Sequence, residues 1–379
     1  MKDLFITGLH IKKVRHLEDV EIKIDTERRR NLIITGNNGS GKTSVLEALR
    51  DVIADHQQLP TNSEALGKGR ALKAFEAYGL TINPEQDAWK FYKQVEQRAF
   101  AYISARRNPF KVPKQIKALQ VLDKSKINVA LAIDFLQYIL NLDYQLYGAL
   151  ADKNAELQFS LTTWFDKFTE ALQEIYSCPE LELQRDTINF SFKIKMPDRE
   201  PFALSQLSDG YAAFLNIYME LLMRLETADG VVDYNEPAIV LVDEIEAHLH
   251  VALQKKILPF LTTMFPHVQF IVTTHSPFVI TSLENAVVYD LEMRERLENP
   301  SFYAYDTIVE SFLGANLYSS ELQEYFRSYK ALALKERSPE ENKEFLKVRA
   351  ELEIRAIPST ELYIAFQQIE AQRVEAKNG

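Results

Sequence analysis

Residues 36–43, Gly-Asn-Asn-Gly-Ser-Gly-Lys-Thr, match the pattern G-x-x-x-x-G-K-[ST] at every specified position. The run follows an apolar stretch at 31–35 and precedes a helical pattern at 44–50. Glycines let the N–H groups of such a loop turn toward one point, and the positive end of the following helix also attracts anions. The lysine reaches the outer phosphates and the last hydroxyl can bind Mg²⁺. We therefore predict a nucleoside triphosphate site formed by Asn37, Asn38, Gly39, Ser40, Gly41, Lys42, Thr43 and Ser44.

Two carboxylates, Asp243 and Glu244, directly follow a second apolar run at 238–242. Parallel sheets bind ligands at the carboxyl ends of their strands. An aspartate there can hold Mg²⁺, and a glutamate one residue further can orient or deprotonate an attacking water. Two solvated acids at a strand end are common, but the phosphate loop upstream favours the chemical interpretation. We predict Thr43 and Asp243 as metal ligands and Glu244 as a catalytic residue.

Two further segments could reach the outer phosphate. Residues 273–277, Thr-Thr-His-Ser-Pro, close the next strand, and we predict that His275 contacts the γ-phosphate as a second catalytic residue. Residues 207–210, Leu-Ser-Asp-Gly, open a long helical pattern. Ser208 could simply cap this helix. Alternatively, Ser208, Asp209 and Gly210 could form a second anion site at the helix N-terminus.

The elements that must position these segments follow from the hydrophobic patterns. Strands are predicted at 4–13, 18–24, 31–35, 99–103, 181–196, 237–242 and 268–273. Helices are predicted at 43–54, from 208 to about 228, at 247–264, and over most of 305–379 with breaks near Pro339 and Pro358. Residues 126–176 have the pattern of two long amphipathic helices with a break near 152–154.

The motifs occur in the order phosphate loop, Leu-Ser-Asp-Gly, Asp-Glu and Thr-His-Ser-Pro, and this set resembles ABC-type ATPases. Within them it is similar to the branch that includes RecF, the Rad50 and SMC heads and OLD-like ATPases. Residues 11–17 and 244–250 are similar to the same branch. The resemblance covers 1–54 and about 200–290. It implies an α/β P-loop head, with a mixed or parallel sheet and flanking helices, an inserted helical lobe and a helical C-terminal tail.

This resemblance also implies domain boundaries, cofactors and pairing. The expected parts are 1–55 and 181–295 for the head, 56–180 for the inserted lobe and 296–379 for the C-terminal region. ATP and Mg²⁺ are the implied cofactors. Two heads would pair, so that Ser208, Asp209 and Gly210 of one copy complete the ATP site of the other.

The chain departs from the family pattern in ways that leave turnover open. Asp209 and Tyr211 replace a glycine and the glutamine of the common Leu-Ser-Gly-Gly-Gln signature. The glutamine that joins the Mg²⁺ shell has no clear counterpart, and Gln94 and Gln97 are the candidates. Arg15 could contact nucleotide or the lobe, or be a surface residue.

Composition limits the partners. The net charge of −10 disfavours nucleic-acid binding by the surface as a whole. Residues 98–126 nevertheless hold eight Lys and Arg against one acid, and they could bind nucleic acid or an acidic partner, or form a solvated face. His248 and His250 could bind a metal, although the resemblance explains them as part of a loop between heads. One cysteine, no signal peptide and no 18-residue apolar run predict a cytoplasmic protein with no membrane segment.

Three functions remain in order of preference. The leading hypothesis is an ATPase that scaffolds or switches a separate effector, such as a nuclease, because the chain resembles the ATPase subunits of the antiphage systems Septu, PARIS and retrons. Residues 300–379 show no Asp-x-Asp pattern of a nuclease domain, and the lobe is too short for a long coiled coil. The second hypothesis is a RecF-like ATPase that clamps DNA. The third, a transporter energy subunit, is disfavoured by the altered signature.

Overall fold

The computed structural model describes residues 5–57, 77–82, 99–113, 130–186, 189, 191–226, 232–312, 319–333, 335, 337–355 and 361–378. The chain forms two compact units, Met1–Tyr305 and Asp306–Gly379. The phosphate loop, the Asp-Glu pair and the Thr-His-Ser-Pro segment all belong to the first unit.

A six-stranded sheet forms the centre of the first unit, in the order β12-β11-β3-β10-β9-β5. Its strands are β3 (Asn31–Thr35), β5 (Ala99–Ile103), β9 (Ala238–Val242), β10 (Val268–Thr273), β11 (Ala286–Asp290) and β12 (Glu295–Glu298). All neighbouring pairs are parallel except β11 and β12. Every residue of β3, β9, β10 and β11 is buried, which is typical of parallel strands covered on both faces. The predicted α/β fold with a mainly parallel sheet is confirmed.

The described part of this unit also contains two three-stranded antiparallel sheets. One has the order β2-β1-β4 and contains β1 (Gly8–Val14), β2 (Leu17–Lys23) and β4 (Leu80–Ile82). The other contains β6 (Glu182–Asp186), β7 (Ser191–Met196) and β8 (Arg199–Ala203). The apolar residues of β1 and β2 belong to the same core as those of β3, so the first antiparallel sheet packs on the phosphate-loop side of the molecule.

The described part of this unit contains six α-helices of at least four residues. They are α1 (Lys42–Gln57), α2 (Phe135–Ala151), α3 (Ala155–Tyr176), α4 (Asp209–Arg224), α5 (Val251–Met264) and α6 (Pro277–Ile280). Helices α2 and α3 are the two predicted amphipathic helices, and Asp152 and Asn154 flank them as caps. Phe135, Trp164 and Phe168 pack together between them and reach Tyr218 of α4.

Three sequence-based boundaries differ from the structure. The helix expected at 247–264 begins only at Val251, because His248 has a φ angle of 68°, which a helix cannot accommodate. The helix expected to end near 228 ends at Arg224. Strand β5 lies inside the range 56–180 expected for the lobe, yet it pairs with β9 in the central sheet.

The C-terminal end of α3 is held by two other helices. The Tyr176 ring stacks on Tyr211 in the first turn of α4, with centroids 4.0 Å apart and planes 6° from parallel. Lys256 of α5 donates to the Glu174 carbonyl at 3.0 Å and to the Ser177 hydroxyl. The positive charge of Lys256 also interacts favourably with the negative, C-terminal end of the α3 dipole. The lobe is therefore tied to the helix that follows the Leu-Ser-Asp-Gly segment and to the helix that follows the Asp-Glu pair.

The described part of the second unit includes three long helices, α7 (Ser320–Ala333), α8 (Pro339–Arg355) and α9 (Glu361–Asn378). Its core includes Tyr329, Phe345 and Phe366. The Tyr329 hydroxyl donates to Glu370 at 2.5 Å, which places a polar anchor beside these rings. Pro339 is the first residue of α8, where its missing N–H costs nothing. The break predicted near Pro358 lies outside the described residues.

Candidate functional site

The phosphate loop connects β3 to α1 at the carboxyl edge of the central sheet. Gly36 and Gly41 have φ angles of 134° and 101°, which side-chain-bearing residues rarely adopt. A Cβ at Gly41 would lie 2.8 Å from Leu17 Cδ1, and one at Gly36 would lie 2.8 Å from Ser40 Oγ. The first N–H groups of α1 have no acceptor within the helix, so they are available to an anion. The loop thus has the geometry that the pattern predicts for phosphate binding.

Lys42 is folded over this loop. Its Nζ donates to the carbonyl oxygens of Gly36 at 2.8 Å and Asn37 at 3.0 Å, and the residue is only 6% exposed. Burial lowers its pKa, while the nearby charges of Glu244 and Glu246 act in the opposite direction. A buried cation held by neutral carbonyls can exchange those bonds for bonds to phosphate oxygens.

Thr43 and Asp243 meet although 200 residues separate them in the chain. The Thr43 hydroxyl donates to both Asp243 oxygens, at 3.0 and 3.2 Å. Thr273, the last residue of β10, donates to the same carboxylate at 2.6 Å. A hydroxyl beside a carboxylate is a hard oxygen set that suits Mg²⁺, and Thr43 and Asp243 are the residues that would hold it. The ion would supply positive charge beside the outer phosphates.

Glu244 and His275 follow the ends of β9 and β10. The Glu244 backbone N–H donates to the Thr273 hydroxyl at 2.7 Å, so one threonine holds the Asp243 carboxylate and the Glu244 backbone. The backbone N–H of His275 donates to the Glu246 carboxylate at 2.6 Å. Burial lowers the pKa of His275, and the positive charge of Lys42 lowers it further. Both effects favour the neutral form of His275 at pH 7.

Arg107 is a site residue that the sequence did not single out. It follows β5, and its Nη2 donates to the backbone carbonyls of Asp243 at 3.2 Å and Glu244 at 3.3 Å. The sequence contains one usable signal, because residues 104–107 follow a predicted strand as the other site segments do. The basic composition of 98–126 instead suggests that Arg107 belongs to a surface that faces solvent or a binding partner.

The Leu-Ser-Asp-Gly segment leads into α4. Ser208 occupies the N-cap position with an extended backbone, but its side chain makes no capping hydrogen bond. Ser208 and Asp209 are exposed, whereas Gly210 is buried. A Cβ at Gly210 would lie 3.2 Å from the His248 carbonyl, so this glycine allows α4 to pack against the loop after β9. The helix N-terminus and the Ser208 hydroxyl consequently face outward.

Other predicted residues have different surroundings. Arg15 is 71% exposed at its side chain and lies 3.6 Å from Glu47 of α1. His248 and His250 are exposed, and no cluster of three or more His, Cys, Asp or Glu that could hold a metal occurs among the described residues. Gln94, Gln97 and five of the eight basic residues of 98–126 lie outside the described residues. Within its described part, Lys111 pairs with Asp134 at 3.5 Å.

A phosphate loop at the carboxyl edge of a mainly parallel sheet, with an Asp-Glu pair and a histidine after the next two strands, is the arrangement of an α/β P-loop domain. The chain belongs to the family described as "AAA domain, putative AbiEii toxin, Type IV TA system", whose model matches residues 72–281. The match contains Ser208, Asp243, Glu244 and His275, and the phosphate loop precedes it.

Several curated proteins are similar to the chain. It is 22% identical over 369 residues to the Septu protein PtuA of Bacillus mycoides, covering 91% of this chain and 50% of that protein. It is 24% identical over 255 residues to the Retron Ec83 probable ATPase of Escherichia coli, covering 63% and 45%. A 49-residue stretch is 43% identical to the DNA replication and repair protein RecF of Rickettsia typhi, covering 13% of each. The chain spans about half the length of the first two relatives.

Solved structures with detectable similarity include an SMC head domain from Thermotoga maritima, at 15% identity and a TM-score of 0.38, covering 75% of this chain and 94% of that one. CbiO1 of Clostridium perfringens, part of the ABC transporter complex cbiONQ, is 14% identical with a TM-score of 0.37, covering 82% and 97%. No helix among the described residues is long and apolar enough to cross a bilayer.

Proposed function

We propose that this chain is an ATPase head that binds ATP with Mg²⁺ and hydrolyses it between two paired copies. The contact of Thr43 with Asp243 carries the proposal, because it joins the phosphate loop to the end of β9 around a hard oxygen set. Glu244 follows immediately and would orient or deprotonate the attacking water. Lys42 and His275 would contact the outer phosphates from the same edge of the sheet.

Pairing of two heads would complete each site. Ser208, Asp209 and Gly210 lie at the N-terminus of a 16-residue helix, and the Ser208 hydroxyl is not used to cap it. Helix N-termini bind anions, so this turn on one copy would contact the γ-phosphate held by the other. The same surface is present on both copies, as a two-fold dimer requires.

A Glu244→Gln variant tests the pairing. It should bind ATP without hydrolysing it and accumulate as a dimer, measured by light scattering with ATP and Mg²⁺. Glu284→Gln, which changes an exposed carboxylate before β11, is the matched control and should behave as the wild type. An ATP-bound Glu244→Gln protein that stays monomeric would contradict the paired site.

Mixing two inactive variants tests whether the site is shared. Lys42→Ala disables the phosphate loop of the first variant, and Ser208→Arg blocks the signature of the second variant. In mixed dimers one site would combine an intact phosphate loop with an intact signature. Random pairing should restore about a quarter of wild-type ATPase activity if the two sites act independently. Activity that stays at the level of the separate variants argues against such sites.

We further propose that nucleotide state switches a separate effector, such as a nuclease, in antiphage defence. The similarity to a Septu protein and a retron ATPase supports this role, and the single free cysteine, Cys178, suits the reducing cytoplasm. Expressing the chain with its neighbouring genes should reduce phage plaques, and Lys42→Ala should abolish the protection. Purification of the chain without any companion, and unchanged plaque numbers, would refute this role.

The RecF-like alternative has one supporting observation, the short stretch of identity to RecF. Two basic residues of 98–126 already have partners within the chain, since Arg107 bonds to the turn after β9 and the exposed Lys111 pairs with Asp134. The alternative predicts ATP-dependent binding of duplex DNA with a steep salt dependence. A mobility-shift titration at several salt concentrations separates it from the preferred function.

A further inference from the structure

Arg107 occupies a position beside the nucleotide site that no matched motif assigns. It lies four residues beyond the end of β5, the strand next to β9, and is half-buried. The Asp243 N–H donates to the Ile103 carbonyl at 2.9 Å, so the parallel pairing continues to the Asp-Glu pair. The loop that carries Arg107 therefore runs directly alongside these two acids.

The guanidinium group is only partly satisfied. Nη2 donates to the Asp243 and Glu244 carbonyls, but Nε and Nη1 are buried and have no hydrogen-bond partner among the described residues. A buried donor without a partner is destabilising, and a charged one more so. Holding the turn after β9 needs only Nη2. The remaining N–H groups thus need an acceptor that the described part of the chain does not provide.

The charges around Arg107 indicate which acceptor would fit. Asp243, Glu246 and Glu244 are its strongest opposite charges, and the same three carboxylates surround Lys42. Burial lowers the pKa of Arg107 to about 10, so the group keeps its charge at pH 7. Arg107 and Lys42 consequently approach the same acids from two loops at one edge of the sheet. A phosphate that Lys42 binds would lie within this shared group of charges.

We propose that Arg107 is a further nucleotide-binding residue, whose Nη1 donates to an oxygen of the terminal phosphate while Nη2 holds the Asp243–Glu244 turn. The donors of a planar guanidinium point in several fixed directions, so one side chain can bond to the turn and to a phosphate at once. Arg107 would in this way couple binding of the γ-phosphate to the position of Glu244. The proposal rests on the nucleotide site proposed above, and it deepens that site by adding a cation that recognises the triphosphate.

Separate affinities for ATPγS and ADP, each with Mg²⁺, test this assignment. Wild-type binding of both nucleotides is measured first, and its absence would refute the nucleotide site rather than the role of Arg107. Arg107→Gln should then weaken ATPγS binding roughly 10- to 100-fold, as expected for loss of a charged hydrogen bond, and change ADP binding less than about threefold. Arg106→Gln, an exposed neighbour on the same loop, is the matched control and should change neither affinity.

Arg107→Lys keeps the charge but removes the planar group with its several directed donors, and it serves as the second variant if Arg107→Gln does not fold. It should weaken ATPγS binding less than the glutamine variant does, and again more than ADP binding. Equal effects on both nucleotides, or no effect on either, would overturn the assignment and leave Arg107 as a residue that only holds the turn. A thermal unfolding midpoint is recorded for each variant to confirm that it is folded.

Discussion

Replacing Lys42 with alanine removes the cation that covers the phosphate loop. In a triphosphate complex Lys42 would make about two charge-assisted hydrogen bonds, each worth about 1.5–3 kcal/mol. In the free protein, however, its Nζ already bonds to the carbonyls of Gly36 and Asn37, and these bonds are given up on binding. The net loss is therefore smaller than the sum, about 2–4 kcal/mol, which weakens ATP binding roughly 30- to 1,000-fold.

Titration with a fluorescent ATP analogue measures this change directly. The variant also leaves the buried Gly36 carbonyl without its donor, so the thermal unfolding midpoint should fall by a few degrees. Lys195→Ala is the matched control for charge and should leave ATP affinity unchanged. It removes an exposed lysine of β7 that pairs with Glu182 of β6. An ATP dissociation constant within about threefold of the wild type would refute the phosphate cradle.

Three other variants probe separate features. Gly41→Ala should reduce stability and ATP binding, because its φ is 101° and its Cβ would meet Leu17; chemical denaturation checks this. His275 should be neutral from alkaline pH down to its ordinary pKa of 6.5, so ATPase activity should fall only below that value, and a His275→Ala variant should lose this pH-dependent step. Arg224→Met should cost about 3–5 kcal/mol of unfolding free energy, because it leaves the buried Glu220 without its 2.7 Å partner; an unchanged denaturant midpoint would contradict this.

The sequence predicts the parts of the site that depend on local chemistry. A glycine-rich loop and acids after apolar strands have local signatures, so the residue order alone indicates Lys42, Asp243 and His275. The mainly parallel sheet also follows, because fully buried strands have continuous apolar runs. The contact of Thr43 with Asp243 agrees with the metal pair expected from the sequence, although binding itself stays a prediction.

Long-range packing explains what the sequence does not indicate. Arg107 bonds to backbone carbonyls of a segment 136 residues away, and no side-chain pattern records such a contact. Glu220 and Arg224 have the i, i+4 spacing of an exposed helix pair, yet both are buried because α4 is covered on nearly all sides. Positive φ at His248 delays the start of α5, and a histidine gives little local warning of it.

The attachment of α3 has a mechanical consequence. Its last turn rests on Tyr211 through a stacked ring and on Lys256 through two hydrogen bonds, so it bridges the helix behind Ser208 and the helix behind Glu244. In the proposed dimer, a tilt of the α2–α3 hairpin would move Ser208, which contacts the nucleotide of the other copy, together with Glu244, which serves the nucleotide of its own copy. A protein that binds the α2–α3 hairpin would therefore respond to ATP hydrolysis, or change its rate, without contacting the nucleotide.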